Sequence, residues 1–264
     1  MAADVFLADA ARRTGQPILR LYTWDKPTLS LGFHQTVSDE ALNRCSRWGI
    51  PVVRRPTGGR AVLHDRELTY CIAIPSDHPL SAKRWGDLLQ SIGRIFVEAA
   101  IGIGLKAELV RAGTSGSEPH SPRKSSPLCF DSLSRWEVRL EGCKWIGSAQ
   151  RFLPGVLLQH GSILLGESDI RVTSLFHLQG RSAGEEPGFS KWRFLEGGEP
   201  TSEEALRTAI PQTFDQRWNL DWRDEPLSAT EVEAIFRSAR DYVIVESIEA
   251  ESITQLYSQI TEGK

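Results

Sequence analysis

The stretch that decides the fold is V-R-R-P-T-G-G-R-A-V-L-H-D, which runs from Val53 to Asp65. Apolar residues stand on both sides of a Pro-Thr-Gly-Gly turn, so the stretch predicts a strand, a glycine turn and a second strand. Gly58 and Gly59 lack a Cβ atom and can adopt positive φ, which lets a ligand approach the main chain and lets backbone N–H groups point into one concavity. Arginines beside such a turn favour an acyl carbonyl, a carboxylate or a phosphate. A plain β-hairpin with Gly-Gly at its tip is the alternative at this point.

The bulk composition excludes several functional classes. The 264 residues are 40% apolar and 25% charged, as in ordinary globular proteins. A formal charge of −3 argues against general nucleic-acid binding, because no basic excess is available to replace counterions on phosphates. No apolar run approaches the roughly 18 residues that cross a bilayer, and the N-terminus shows no signal segment. We therefore expect a cytoplasmic protein that binds neither nucleic acid nor membrane.

Two further motifs lie downstream of the glycine turn. They are K-x-x-G-S-A-Q, from Lys144 to Gln150, and L-Q-H-G-S-I-L-L, from Leu158 to Leu165. Together with the arginine and glycine segment they closely resemble the superfamily of lipoate-protein ligases, octanoyltransferases and biotin-protein ligases. The resemblance implies an α+β fold of mixed, mostly antiparallel β-sheets flanked by helices, with the glycine segment as one wall of an acyl pocket. The substrate-binding residues that it implies are Arg55, Gly58, Gly59, His64, Gly147, Ser148, Ala149, His160 and Gly161.

The domain organisation follows from periodicity and composition. We expect a single catalytic domain over residues 1–248, with a Gly-, Pro- and Ser-rich mobile loop at about 111–127. Helices within 200–242 are expected to cover the sheet, and residues 249–264 to fray. The superfamily usually has a strand ahead of the first helix, whereas this chain starts at that helix. Truncation and a missing edge strand both remain open.

Lys144 is the first candidate for a chemical role. If side chains alternate along its strand, Lys144 and Ile146 face one way while Cys143 and Trp145 face the other. A lysine that faces a pocket can hold an acyl carbonyl and stabilise the negative charge that develops on it. A solvated hairpin lysine is the alternative for this residue taken alone.

The four cysteines form no C-x-x-C pair, so neither a zinc site nor a disulfide framework is predicted. Cys45 and Cys71 stand among apolar residues, and we expect both to be buried. Cys129 lies in a C-F-D segment that resembles the cysteine-dependent, ligase-like octanoyltransferases, which implies that Cys129 is the nucleophile. A nearby ammonium such as Lys144 favours its thiolate. Cys143 is the rival, and alternation places it away from the lysine's face.

The resemblance implies a protein N-octanoyltransferase that performs the first step of lipoate biosynthesis. Cys129 would take an octanoyl group from acyl carrier protein and pass it to a lysine of a lipoyl domain or glycine cleavage H protein. No cofactor and no metal are implied, and a monomer is expected. Three alternatives stay open: an ATP-dependent lipoate-protein ligase, an octanoyl amidotransferase between lipoyl proteins, and a non-catalytic acyl-protein binder.

Overall fold

The computed structural model describes residues 1–82, 85–111, 136–166, 168, 170, 175–176 and 203–245. Residues 112–127 of the expected loop, Cys129 and the expected tail at 249–264 lie outside these ranges. The helices are α1 (Ala2–Thr14), α2 (Asp39–Arg47), α3 (Trp85–Gly102), α4 (Glu203–Trp218) and α5 (Ala229–Ala239). The strands are β1 (Ile18–Tyr22), β2 (Thr28–Leu31), β3 (Val52–Arg54), β4 (Val62–His64), β5 (Glu67–Pro75), β6 (Ala107–Arg111), β7 (Trp136–Leu140), β8 (Cys143–Leu153), β9 (Val156–Leu164) and β10 (Val243–Val245).

These strands form two sheets. The larger has six strands in the order β1-β5-β9-β8-β7-β6, and every neighbouring pair is antiparallel. The smaller has the order β10-β3-β2-β4, in which only the β2–β3 pair is parallel. The predicted fold class, α+β with mixed and mostly antiparallel sheets, is therefore confirmed.

The glycine turn does not close a β-hairpin, so the plain hairpin alternative is wrong. Strands β3 and β4 lie on opposite sides of β2, where Leu29 pairs with Val52 on one side and with Leu63 on the other. All three side chains are at most 5% exposed, and they belong to the same apolar core. Burying both strands against β2 places the turn at the end of β2 rather than at the tip of a two-stranded ribbon.

The larger sheet is covered on both faces. One face packs against α3 and α4 through a core that includes Tyr70, Trp145, Phe96 and Phe214. The other face packs against α1, where small side chains such as Ala8 and Ala11 let the helix approach Cys71 and Leu158 closely. The helix α4 therefore acts as the expected cover, while α5 packs against α1.

Two helices begin at capping serines, and the two cysteines that we expect to be buried are buried. The Ser38 side chain accepts a hydrogen bond from the Ala41 N–H at the start of α2, and Ser228 forms a capping box with Glu231 at the start of α5. Cys45 and Cys71 are both at most 1% exposed, and burial raises the pKa of the Cys45 thiol to about 11. Among the described residues, none of the helices combines the length and hydropathy needed to span a bilayer.

Candidate functional site

Polar side chains gather on the face of the larger sheet that also carries α1 and the glycine turn. Burying a polar group without a hydrogen-bond partner is costly, so a concentration of buried polar side chains indicates that they form hydrogen bonds with one another. Those of this cluster that are at most 5% exposed are Asp4, Ser30, Arg55, Thr57, His64, Glu67, Thr69, His160 and Ser162. Three of the predicted site segments thus meet here: 55–59, 64 and 160–161.

The main chain of the glycine turn is fixed by hydrogen bonds from the Arg55 side chain. Its Nη2 donates to the carbonyl oxygens of Gly58, at 3.2 Å, and Arg60, at 2.8 Å. Gly59 has φ +99°, which a residue with a Cβ atom rarely adopts, and a Cβ on Gly32 would lie 1.9 Å from the Gly59 oxygen. Gly58 is exposed with open space where a Cβ would stand, so its main chain can be approached.

A first chain of hydrogen bonds runs through His64. Its Nε2 lies 2.6 Å from Ser30 Oγ, and its Nδ1 lies 2.6 Å from Glu67 Oε1. The imidazole also stacks on Trp24 with 4.3 Å between ring centroids. Ser30 Oγ accepts a hydrogen bond from Arg55 Nη1 at 2.7 Å. His64 therefore supports the position of Arg55 beside the glycine turn.

A second chain runs through His160. Its Nδ1 lies 3.1 Å from Asp4 Oδ2, and its Nε2 lies 2.6 Å from Thr57 Oγ1. Burial lowers the pKa of His160, against the opposing effect of its hydrogen bond to the Asp4 carboxylate, so the imidazole is neutral at neutral pH. Since the Asp4 carboxylate can only accept, Nδ1 carries the proton and Nε2 accepts from the Thr57 hydroxyl.

Asp4 itself stays ionised in this buried position. Burial opposes its ionisation, but the positive N-terminal amino group, the His160 hydrogen bond and Arg20 outweigh that effect and hold the pKa of Asp4 well below its usual range. Arg20 Nη1 donates to Asp4 Oδ1 at 2.9 Å, and the Tyr22 hydroxyl donates to Oδ2 at 3.1 Å. The first turn of α1 is thereby linked to the glycine turn through His160.

Lys144 is enclosed, with 11% of its side chain exposed, and its Nζ lies 3.4 Å from Glu137 Oε1. The prediction that Ile146 shares its face is wrong. A register shift between β7 and β8 leaves Trp145 as an extra residue, a β-bulge that interrupts the alternation. Ile146 and Trp145 both enter the core beneath α3. Cys143 also packs against that core, away from Glu137, as predicted.

The other predicted residues of β8 and β9 divide between the two faces. Ser148 Oγ lies 2.7 Å from the hydroxyl of Tyr70, which belongs to the core beneath α3. A Cβ on Gly161 would lie 2.3 Å from the Gly147 oxygen and 2.7 Å from Tyr70 Cε1, so close packing alone accounts for this glycine. Ala149 pairs directly with His160 across the sheet.

Sequence reasoning missed several members of this cluster. Asp4 looks like an ordinary acidic residue in the first turn of a helix, and Thr57 and Ser30 look like ordinary turn and strand residues. Glu67, whose Oε1 also accepts from Thr69 Oγ1, is the first residue of β5, and nothing in the sequence indicates its buried partner. The signals that the sequence did offer were a carboxylate in an alanine-rich helix, Asp4, and another three positions after His64, Glu67.

Other possible sites are remote or lack the ligands for a metal. Within the ranges that the structure describes, no group of three His, Cys, Asp or Glu side chains could hold a metal ion. A groove of about 630 Å³ lies between α3 and α4, beside Gly102, Thr208 and Gln212. It opens on the helical side of the larger sheet and contains none of the predicted site residues, so we do not assign chemistry to it.

Comparison with known proteins gives a consistent set of similarities. A model of the lipoyl protein ligase A/B catalytic domain matches residues 1–183. Octanoyltransferase LipM of Geobacillus kaustophilus is 41% identical over 161 residues, which cover 61% of this chain and 58% of that protein. Octanoyltransferase LipM of Staphylococcus aureus is 36% identical over 180 residues, which cover 67% of this chain and 64% of that protein. The chain thus spans less than two thirds of the length of these curated relatives.

Solved structures agree with the fold. The crystal structure of lipoate-protein ligase A bound with ATP superposes with a TM-score of 0.65 at 21% identity, covering 91% of this chain and 87% of that one. The structure of protein Ta0514 from Thermoplasma acidophilum gives a TM-score of 0.63 at 21% identity, covering 91% of this chain and 88% of that one. At this level of identity the likeness defines the architecture only.

Proposed function

The chain belongs to the lipoyl protein ligase A/B catalytic-domain family, and from this premise we propose that it is a protein N-octanoyltransferase. The donor is octanoyl-acyl carrier protein, and the acceptor is a lysine of a lipoyl domain or of glycine cleavage H protein. The proposed enzyme works in the cytoplasm as a monomer, with a single catalytic domain over residues 1–248. The similarity to octanoyltransferases over some 160 residues supports this choice within the family.

The observation that carries the proposal is the position of Lys144. Its ammonium is enclosed beside Glu137, on the sheet face opposite the core of α3. His160 lies on that same face, because it contacts Asp4 of α1 and Thr57 of the glycine turn. A fixed, partly desolvated cation at such a place can stabilise the oxyanion of a tetrahedral intermediate far better than a solvated one.

Two transfers make up the proposed reaction. The Cys129 thiolate attacks the donor carbonyl, the carbonyl–sulfur bond of the donor breaks, and the carrier sulfur leaves as a thiolate that takes a proton from water. The neutral amine of the acceptor lysine then attacks the acyl-enzyme, an amide bond forms, and the Cys129 thiolate departs as the amine nitrogen loses a proton to water. In both steps Lys144 stabilises the negative charge on the carbonyl oxygen, and its positive charge favours the Cys129 thiolate.

The substrate requirement tests the proposal. The protein is incubated either with octanoyl-acyl carrier protein or with free octanoate and ATP, in the presence of a lipoyl domain whose mass is then measured. Octanoylation of the domain from the carrier without ATP is the expected result. Modification that depends on free acid and ATP would instead make the protein a ligase. Transfer from an octanoylated lipoyl protein, and not from the carrier, would make it an amidotransferase, and no modification under any condition would favour a binding protein.

A further inference from the structure

Two arginines at the edge of the site, Arg54 and Arg151, use only one of their three guanidinium nitrogens in the hydrogen bonds that the structure describes. Arg54 contacts the carbonyl oxygens of Gly32, Phe33 and Gln35 through Nη1 alone, at 2.8 to 3.2 Å. Arg151 donates from Nη1 to the Pro56 oxygen at 2.6 Å, and its guanidinium lies 4.1 Å above the Phe33 ring. Within the part of the chain that the structure describes, Nε and Nη2 of both residues have no further partner and neither guanidinium meets a carboxylate.

This end of the site is also strongly positive. The segments 28–35, 52–60 and 146–152 contain four cationic residues and no Asp or Glu, in a chain whose net charge is −3. Asp4, the carboxylate joined to the glycine turn through His160, is already neutralised by Arg20. The positive charge of Arg54 and Arg151 is therefore available to an external anion.

Both arginines are anchored rather than flexible. Each has Nη1 fixed on main-chain oxygens, and both touch Phe33, one at its carbonyl and the other at its ring. Anchoring of this kind lowers the entropy lost when a ligand binds. The remaining Nε and Nη2 edge of a guanidinium presents two parallel donors, the arrangement that matches two oxygens of one phosphate group.

The distance from these arginines to Lys144 fits a particular kind of donor. Lys144 and Arg151 lie on one face of β8, since Lys144 meets Glu137 and Arg151 meets the glycine turn. With one residue taken up by the bulge, the strand rise places them about 20 Å apart. A phosphopantetheine arm has about as many bonds between its phosphorus and its sulfur as five extended residues, which is ~17 Å. With the phosphate at Arg151, the thioester would lie within reach of the Lys144 ammonium.

We propose that Arg54 and Arg151 form a site for the phosphate group of the donor's phosphopantetheine arm. The inference rests on the proposed transferase function and adds the recognition of the arm to it. The arm would run along β8 from the exposed Gly58 toward Lys144. The enzyme then selects a carrier-bound acyl group by a charge that free fatty acids and simple thioesters lack.

Two small donors test this proposal without the carrier protein. Octanoyl-S-4′-phosphopantetheine and octanoyl-S-pantetheine differ only in the phosphate, and the rate of enzyme octanoylation is measured with each by intact mass. The wild-type protein should prefer the phosphorylated donor in kcat/KM by about tenfold or more, the size expected for charge-assisted hydrogen bonds. If neither small donor reacts, the same comparison is made by inhibition of carrier-dependent octanoylation with phosphopantetheine and pantetheine.

Matched variants identify the residues responsible. The preference should fall toward one in Arg151→Met and Arg54→Met, and should survive in part in Arg151→Lys, which keeps the charge. Arg223→Met removes one exposed arginine elsewhere and should keep the wild-type preference. Equal use of the two compounds by the wild-type protein would overturn the phosphate site, even if charge-neutral variants weaken binding of the carrier through its acidic surface. Failure of octanoyl-acyl carrier protein itself to acylate the enzyme would instead refute the proposed function.

Discussion

The side chains of Thr57 and His160 are 103 positions apart in the sequence and meet at 2.6 Å, Oγ1 to Nε2. This hydrogen bond joins the glycine turn beside the small sheet to β9 of the large one. Asp4 holds the other nitrogen of the same imidazole, so the Thr57 hydroxyl is the donor. The position of the turn over the site therefore depends on a buried link between three distant parts of the chain.

Replacing Thr57 should show how much the hydrogen bond between Thr57 and His160 contributes to the free energy of unfolding. Thr57→Val keeps the shape of the side chain but leaves Nε2 of a buried imidazole without a donor, which should lower the free energy of unfolding by about 1–3 kcal/mol. Thr57→Ser keeps the hydroxyl and should lose much less. Urea denaturation of the three proteins measures the difference. Equal stability of the valine variant and the wild type would show that the hydrogen bond contributes nothing.

His160 should make stability depend on pH in a predictable direction. Burial lowers its pKa in the folded protein from 6.5. Just below pH 6.5, therefore, the imidazole is protonated in the unfolded state but still neutral in the folded state. The free energy of unfolding of the wild type should therefore decrease as the pH falls through about 6.5, down to the folded pKa. His160→Gln lacks this contribution. Denaturation between pH 7.5 and 5 compares the two slopes, and identical slopes would contradict the buried neutral imidazole.

Local features of this fold were readable from the sequence, whereas the polar network was not. The Ser38 and Ser228 caps, the buried Cys45 and Cys71 and the strands around Gly58 follow from signals within a few residues. The facing of Lys144 was judged by simple alternation, which failed for Ile146 because a bulge depends on the register with β7.

The features that the sequence does not predict depend on contacts between residues far apart in the chain. The pairing of Asp4 with His160 spans 156 positions, and the strands β3 and β4 flank β2 instead of each other. Neither arrangement leaves a periodic trace in the sequence. The resemblance to a family supplied His160 and Lys144 as site residues, but it did not supply the partners that hold them.

Lys144 should matter for the chemical step rather than for folding alone. Lys144→Met removes the positive charge, and loss of one donor to an oxyanion typically slows catalysis by about 10²–10³-fold. Lys144→Arg keeps a charge with a different shape and should retain part of the rate. Rapid-quench measurement of octanoyl-enzyme formation from saturating donor separates this effect from weaker binding. A methionine variant that forms the adduct at the wild-type rate would remove Lys144 from the mechanism.

Gly161 provides a test of the sheet packing beneath the site. A Cβ at this position would lie 2.3 Å from the Gly147 oxygen, so Gly161→Ala must push two strands apart and should destabilise the protein by about 1–3 kcal/mol. Gly102→Ala is the matched control, because nothing lies within 4 Å of its added Cβ. Thermal unfolding of both variants gives the comparison. A stable Gly161→Ala protein would show that the β8–β9 contact is looser than described.

The central claim is that Cys129 carries the octanoyl group, and intact mass measurement tests it most directly. Octanoyl-acyl carrier protein is incubated with the wild-type protein or with the variant Cys129→Ala or Cys143→Ala. The intact mass of each protein is measured before any acceptor is added. We predict one octanoyl group on the wild type and on Cys143→Ala, and none on Cys129→Ala. An adduct that persists in Cys129→Ala, or that disappears in Cys143→Ala alone, would contradict the account.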